Sequence, residues 1–367
     1  MQSNNKKRIC IVTRSLGGGG LERVAAKQSE YLHDYGYKVF IVTILDQIDY
    51  PFKGKLLNLG KLKTKNNFEI NRFKRFLIFK QFLNENKIDV IIDHRTRKRW
   101  LSEYLINKYL YNKPTIYTIH NYNLLNYIPT KIKYFNNFYQ NSKKVVTVSK
   151  AIEEKVNKQY NIKNTLTIYN PIEINKNNKV YKNNLSLGYK YILWYGRLLD
   201  EHKNISLLID AYFTSTLSQL GIKLLILGDG RDKVKLQEKV LKLNIEKDVI
   251  FFKYSKNPTK YIYNSNFVML TSRYEGFPMV IPESLACGVP VVSVDCNSGP
   301  KEIIKNRYNG LLVKNFDIKK LAQAMDEFVN DKKLFDYCKS NTRKSVEHLN
   351  IDIIAKQWIN LIESGNN

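Results

Sequence analysis

Cysteine, acidic charge and long apolar runs are all scarce in this chain. Its four cysteines, Cys10, Cys287, Cys296 and Cys338, stand far apart with no C-x-x-C pair. That spacing argues against a zinc site and against a disulfide framework, and buried inert thiols are the expectation. No D-x-D occurs, so there is no obvious carboxylate seat for a phosphate-bound Mg²⁺, and neither metal nor cofactor is expected. The apolar runs, such as residues 39–45, fall far short of the roughly 20 residues of a spanning helix. Residues 1–8 lead into a strand without a signal-peptide core, which predicts a cytoplasmic protein.

Acidic residues number 33 against 60 Lys and Arg, a formal net charge of +27. The excess is uneven: residues 1–170 hold 31 basic and 12 acidic side chains, residues 171–367 hold 29 and 21. A polyanionic surface partner for the first half is implied, either nucleic acid or an anionic membrane leaflet. Plain AT-rich codon usage is a further source of lysine.

The 367 residues, 43% of them hydrophobic, fit two domains of about 150–200 residues each. Strands and helices alternate along both halves. Residues 7–13 read as a buried strand, followed by Gly17 to Gly20, a helix over 21–35 and a strand over 38–45. An amphipathic helix over 71–86 and strands over 88–93, 114–119 and 144–148 follow. Asn170-Pro171 and the Asn/Lys-rich stretch 173–188 read as a linker. The second half predicts strands over 191–195, 222–227, 248–252, 266–270 and 289–294, with helices over 204–219, 231–243, 257–263 and 282–287. Such β-α-β units give doubly wound α/β sheets, with ligands beyond the carboxyl ends of the strands. Two of them face each other across a cleft. The expected domains are 1–170, 171–349 and a last helix over 350–367.

Three strand-end motifs carry chemistry. Gly17, Gly18, Gly19 and Gly20 open a helix, where backbone N–H groups suit an anion; a plain turn is the alternative. Glu22 occupies the third glycine position of G-x-G-x-x-G, so a dinucleotide site with Asp46 as its ribose acid is disfavoured. Arg197 closes a strand with Lys203 six residues on; the pair either grips a diphosphate or is two solvated charges. Glu275 sits in a loop that continues through Gly276, Phe277, Pro278, Met279 and Val280 to Glu283 in a helix's first turn. Those N–H groups form a phosphate cradle, and Glu283 either accepts from vicinal hydroxyls or simply favours the helix dipole.

Glu275 to Val292, Tyr195-Gly-Arg-Leu with Lys203-Asn, Leu-Gly228-Asp-Gly, Gly19-Gly-Leu-Glu-Arg-Val, Val148-Ser-Lys and Asn309-Gly-Leu-Leu-Val stand together in order. They strongly resemble the retaining glycosyltransferase family 4, over nearly the whole chain. The resemblance implies the GT-B fold, two Rossmann-like domains with the last helix crossing back to the first. It places Arg197 and Lys203 on a donor diphosphate, Glu275 at the donor sugar, Glu283 on the ribose, and Phe277 to Val280 over phosphate and sugar. Gly17, Gly18, Gly19 and Gly228 fall on donor-binding positions, and His120 on a histidine near the reacting centre. Asn121 stands where the family often has aspartate. His94, which also ends a strand, is expected to face the acceptor. The implied reaction is metal-independent transfer with retention, from a nucleotide sugar, with UDP as the carrier.

Acceptor choice falls to the basic first half. Residues 68–82, 95–100 and 127–144 mix basic, aromatic and aliphatic side chains. Their expected partner is an anionic membrane surface on the cytoplasmic side, presenting a lipid-linked glycan; a buried apolar face with a solvated basic face is the plain alternative. A sugar-nucleotide epimerase and a basic nucleic-acid-binding protein are the rivals. No nucleic-acid motif is present, so nucleic acid is not an expected partner.

Overall fold

The computed structural model describes residues 6–63, 68–128, 136–174 and 187–365, with side chains at 68, 69, 136 and 137 left aside. Most of the expected linker therefore lies outside the described residues. The chain forms two compact units, one of residues 1–171 with 351–367, the other of residues 172–350.

In the first unit the elements are β1 (Arg8–Thr13), α1 (Gly20–Asp34), β2 (Lys38–Thr43), β3 (Lys55–Asn58), α2 (Phe68–Glu85), β4 (Val90–Asp93), α3 (Trp100–Tyr109), β5 (Thr115–Ile119), α4 (Asn136–Gln140), β6 (Lys144–Thr147), α5 (Lys150–Tyr160) and β7 (Thr165–Thr167). The strands form one parallel sheet in the order β3-β2-β1-β4-β5-β6-β7. Ile9 to Thr13 of β1 and all of β4 are buried, as expected of central strands covered on both faces.

The second unit holds β8 (Lys190–Arg197), α6 (Asp200–Lys203), α7 (Ile205–Thr214), β9 (Ile222–Asp229), α8 (Lys233–Lys242), β10 (Val249–Phe252), α9 (Thr259–Asn264), β11 (Val268–Leu270), α10 (Val280–Ala286), β12 (Val291–Asp295), α11 (Pro300–Ile303), β13 (Gly310–Lys314), α12 (Ile318–Asn330) and α13 (Lys332–Ser345). Its parallel sheet runs β10-β9-β8-β11-β12-β13. The last helix, α14 (Ile351–Glu363), belongs to the first unit. Its Ile354, Trp358, Leu361 and Ile362 pack into the first core with Ala25, Ala26 and Leu32 of α1.

Two expected helices come out differently. The single helix over 204–219 is interrupted: Asn204 turns left-handed at φ 51° between α6 and α7. The helix then ends at Thr214, because Asp326 accepts from the backbone and hydroxyl of Thr216, both at 2.8 Å. The helix expected to be amphipathic, α2, instead carries apolar residues on two sides. Phe79, Phe82 and Leu83 are buried, while Ile70, Phe73 and Leu77 are exposed. Cys10, Cys296 and Cys338 are buried, and all four thiols are free.

Candidate functional site

In the second sheet, β8 and β11 are neighbours in space but not in sequence. Strand order reverses there, and doubly wound sheets bind ligands in the crevice beyond such a point. Arg197 is the last residue of β8 and is exposed. Lys203 closes α6, and Glu275 lies in the loop after β11. Four bonds join the two loops. Arg273 N–H donates to His202 O at 2.9 Å, Thr271 Oγ1 to Lys203 O at 3.0 Å, and Arg273 Nη2 to Asn204 Oδ1 at 3.0 Å. His202 Nε2 donates to Tyr274 O at 2.7 Å, with the two rings 4.5 Å apart.

These bonds bring Lys203 Nζ to 2.6 Å from Glu275 Oε1. Glu275 is 8% exposed. Burial alone would push its carboxyl up, but Lys203 and His202 outweigh that and hold it below the ordinary glutamate range. Burial pushes the His202 imidazole down, so it is neutral near pH 7, consistent with an Nε2–H donor. The expectation treated Lys203 and Glu275 as separate contacts; the structure makes them one ion pair.

The rest of the motif is held from its other side. Glu275 N–H donates to Asn297 O at 3.1 Å, and Ser298 Oγ to Gly276 O at 2.7 Å. Gly276, Phe277 and Pro278 are buried, and Met279 and Val280 are half-buried at the start of α10. Glu283 is half-buried in the first turn and accepts from Tyr195 Oη at 2.8 Å. Tyr195 precedes Arg197 by two residues on β8, which puts both on one face of the strand. That spacing is the signal from which Tyr195 was legible in sequence; His202 offered none beyond its place beside Lys203. The sheet itself explains Gly228: a Cβ there would stand 1.9 Å from Gly196 O of the paired strand.

The remaining expected site residues belong to the first unit. Gly18 needs its φ of +83°, which side-chain-bearing residues rarely adopt. Cβ atoms at Gly17 and Gly19 would stand 2.3 Å from carboxylate oxygens of Asp49 and Glu22 respectively. Asp46 is exposed and accepts from Asn58 Nδ2 at 2.8 Å, a contact between neighbouring strand ends. His120 is half-buried beyond β5. His94, expected to face an acceptor, has no exposed surface. It lies under Trp358 of α14, ring centroids 6.4 Å apart. Its Nδ1 is 2.9 Å from His120 Nε2 and its Nε2 is 2.6 Å from Gln28 Oε1. Burial and the nearby Arg97 guanidinium push His94 down to about 3. Burial, His94 and Arg97 hold His120 well below the ordinary histidine value. Arg97 is fully buried, donating to the carbonyls of Asp93, Arg95, Thr118 and Tyr127.

The second unit thus sets an exposed arginine at the end of β8, a pair of half-buried Lys203 with buried Glu275 in the connections after β8 and β11, and a tyrosine-held glutamate in the first turn of α10. Such a set can bind an anion and hydroxyl groups together. Among the described residues, no group of three or more His, Cys, Asp or Glu side chains is placed to hold a metal ion.

Comparison with known proteins agrees in fold and family. The family described as "Glycosyltransferase Family 4" matches residues 18–176, and "Glycosyl transferases group 1" matches residues 175–345. The chain is 28% identical, over 89% of its length and 92% of the relative's, to a diphospho-undecaprenol 4-alpha-N-acetylgalactosaminyltransferase of Campylobacter jejuni. It is 24% identical, over 97% and 99%, to the amylovoran biosynthesis glycosyltransferase AmsD of Erwinia amylovora. The fold is shared with Anabaena HepE solved with UDP, at a TM-score of 0.80 and 19% identity, covering 98% of this chain and 100% of that one. The chain belongs to the GT-B glycosyltransferases of the family 4 type.

Proposed function

We propose that this glycosyltransferase moves a hexose or N-acetylhexosamine from a UDP-sugar to a hydroxyl of a lipid-linked glycan, with retention at the anomeric carbon. The observation that carries the reading is the Lys203–Glu275 pair beside Arg197 and Glu283 at the strand-order reversal. Arg197 and Lys203 neutralise the diphosphate and the charge that grows on it as it leaves, which makes the transfer metal-independent. Glu283, aimed by Tyr195, accepts from the ribose hydroxyls, and Glu275 from hydroxyls of the sugar. Gly276 to Val280 supply backbone N–H groups over phosphate and sugar. By the family resemblance, Gly17, Gly18 and Gly19 are taken as donor-binding positions and His120 as a residue of the reacting centre.

UDP is favoured because HepE is solved with UDP-glucose and a variant of S. aureus TarM with UDP and alpha-GlcNAc-glycerol. A surface glycan acceptor is favoured because the C. jejuni relative is named for a diphospho-undecaprenol substrate and the E. amylovora one for amylovoran. An anionic membrane is the proposed platform. Ile70, Phe73 and Leu77 of α2 and Leu101 and Leu105 of α3 are exposed, and Arg72 Nη2 donates to Ser102 Oγ at 2.9 Å to tie the two helices together. No described helix is long and apolar enough to cross a membrane. Thermal-shift screening against nucleotide sugars tests the donor, because a ligand of the native state raises the melting temperature. A UDP-hexose should stabilise the protein without added metal. Flotation with anionic vesicles at physiological salt tests the platform, and failure to bind them removes the membrane from the account.

A further inference from the structure

We propose that Gln28 and His94 are positioning residues that fix the tautomer of His120, so that its Nδ1 is a permanent hydrogen-bond acceptor for a substrate hydroxyl. The inference deepens the assignment of His120 to the reacting centre and rests on it.

The geometry leaves little freedom. Gln28 Oε1 is 2.6 Å from His94 Nε2. That is the short edge of an N–H···O bond and too close for two nitrogens, so the amide is placed oxygen-first and His94 Nε2 carries a proton. His94 is fully buried beneath Trp358 and the Arg97 guanidinium lies nearby, so a second proton on the ring is opposed by burial and by like charge. His94 Nδ1 is then a bare lone pair, and His120 Nε2 lies 2.9 Å from it. Two lone pairs at that distance would repel, so His120 Nε2 carries the proton between them. Thr118 Oγ1 stands 3.2 Å from His94 Nδ1 and 3.0 Å from His120 Nε2, and donates to Asp93 O at 3.1 Å. It satisfies the pair without changing which nitrogen is protonated. His120 is kept neutral by the same burial, and a charge on its ring would be opposed by the Arg97 guanidinium and by any second proton on His94. Its Nδ1 is therefore unprotonated. A ring with both nitrogens open to solvent would exchange tautomers; this one cannot without breaking the chain from Gln28.

The consequence is chemical. His120 can receive a hydroxyl's proton in a hydrogen bond but cannot donate one from Nδ1, so the group it meets must be a hydroxyl or other donor. Histidine-selective ¹⁵N NMR of the full-length enzyme reads the tautomer without any activity assay. We expect His120 as the Nε2–H form and both rings neutral from about pH 5.5 to 9. An Nδ1–H form of His120, or a protonated pair near pH 6, overturns the proposal. In a transfer assay, His94→Phe should lower kcat about 10- to 100-fold with KM for the donor within about 3-fold. His94→Asn places an amide oxygen near the Nδ1 position and should recover most of that loss. A His94→Phe enzyme with unchanged kcat, or a folded His94→Asn no better than His94→Phe, refutes the positioning role. If the tautomer is as stated but His120→Ala keeps full activity, the placement of His120 at the reacting centre fails instead, and the two failures are separable.

Discussion

The two units put opposite kinds of chemistry at equivalent places. Each has a parallel sheet whose strand order reverses once, at β1 and β4 in the first unit and at β8 and β11 in the second. At the second reversal the groups are charged: Arg197, the Lys203–Glu275 pair and Glu283. At the first, His94 and His120 are neutral and lie 2.9 Å apart, while the nearby charges are spent on partners of their own: Arg97 on backbone carbonyls, and Arg95 on Asp93 and Glu103. The second unit holds its charges in place by tying one loop to the next through backbone and side-chain bonds. The first unit keeps two neutral imidazoles, held so by burial and by Arg97. The difference teaches that the same fold position sets geometry, while burial and local charge set protonation.

The largest way to break this contrast is to remove the charged side. Glu275→Ala should lower transfer by on the order of 10²–10³-fold, judged from what single transition-state contacts supply, while calorimetry still detects nucleotide binding. A Glu275→Ala enzyme with full transfer would leave the ion pair merely structural. Lys203→Ala should cost about 2–4 kcal/mol of stability, because it strands a buried carboxylate. Its pH dependence should also change sign. In the native protein Glu275 is held low, so its contribution is present above about pH 4.3 and is lost as pH falls through the lowered value. Without Lys203, burial dominates and the carboxyl titrates above its ordinary range, so the variant should gain stability on acidification towards pH 5. Thermal melts across pH decide it.

The neutral side makes an intermediate prediction. His94 and His120 are held below the ordinary value, so the unfolded chain binds more protons than the folded one below about pH 6.5. Stability should therefore fall as pH drops below that value, by up to about 1.4 kcal/mol per pH unit for each ring. A His94→Asn, His120→Asn double variant should show a flatter acid limb. The smallest effect expected is that of Tyr195→Phe. It removes one hydrogen bond to Glu283 and should weaken nucleotide binding about 3- to 10-fold, roughly 1 kcal/mol, with kcat nearly unchanged; calorimetry reads it.

Much of the fold was legible from residues. Continuous apolar runs such as residues 9–12 and 90–92 mark buried strands, and the last helix, expected over 350–367, is α14 at Ile351–Glu363. The edge strands β3, β7 and β13 and the helices α3, α5, α12 and α13 are not among the expected elements; Lys55–Asn58 and Thr165–Thr167 have neither the length nor the apolar continuity of a strand. The units divide after Pro171 and Asn350, one residue beyond the expected boundaries. Motif spacing put the charged site on strand ends, but not its pairing: Lys203 and Glu275 are 72 residues apart in sequence, and only the stapling of two loops makes them touch. The histidine pair was less visible still. His94 looked like a surface ligand because it ends a strand. Its neighbours come from distant parts of the chain: Gln28 on α1, Thr118 and His120 on and after β5, and Trp358 on the last helix.

The most direct test is calorimetric titration of UDP-sugar into the native enzyme, Arg197→Ala and Glu275→Ala, each paired with a transfer assay. The account predicts binding to the native enzyme, binding weakened by about tenfold or more in Arg197→Ala, and near-native binding without transfer in Glu275→Ala. Equal binding by Arg197→Ala and the native enzyme would contradict it, and so would the absence of nucleotide-sugar binding altogether.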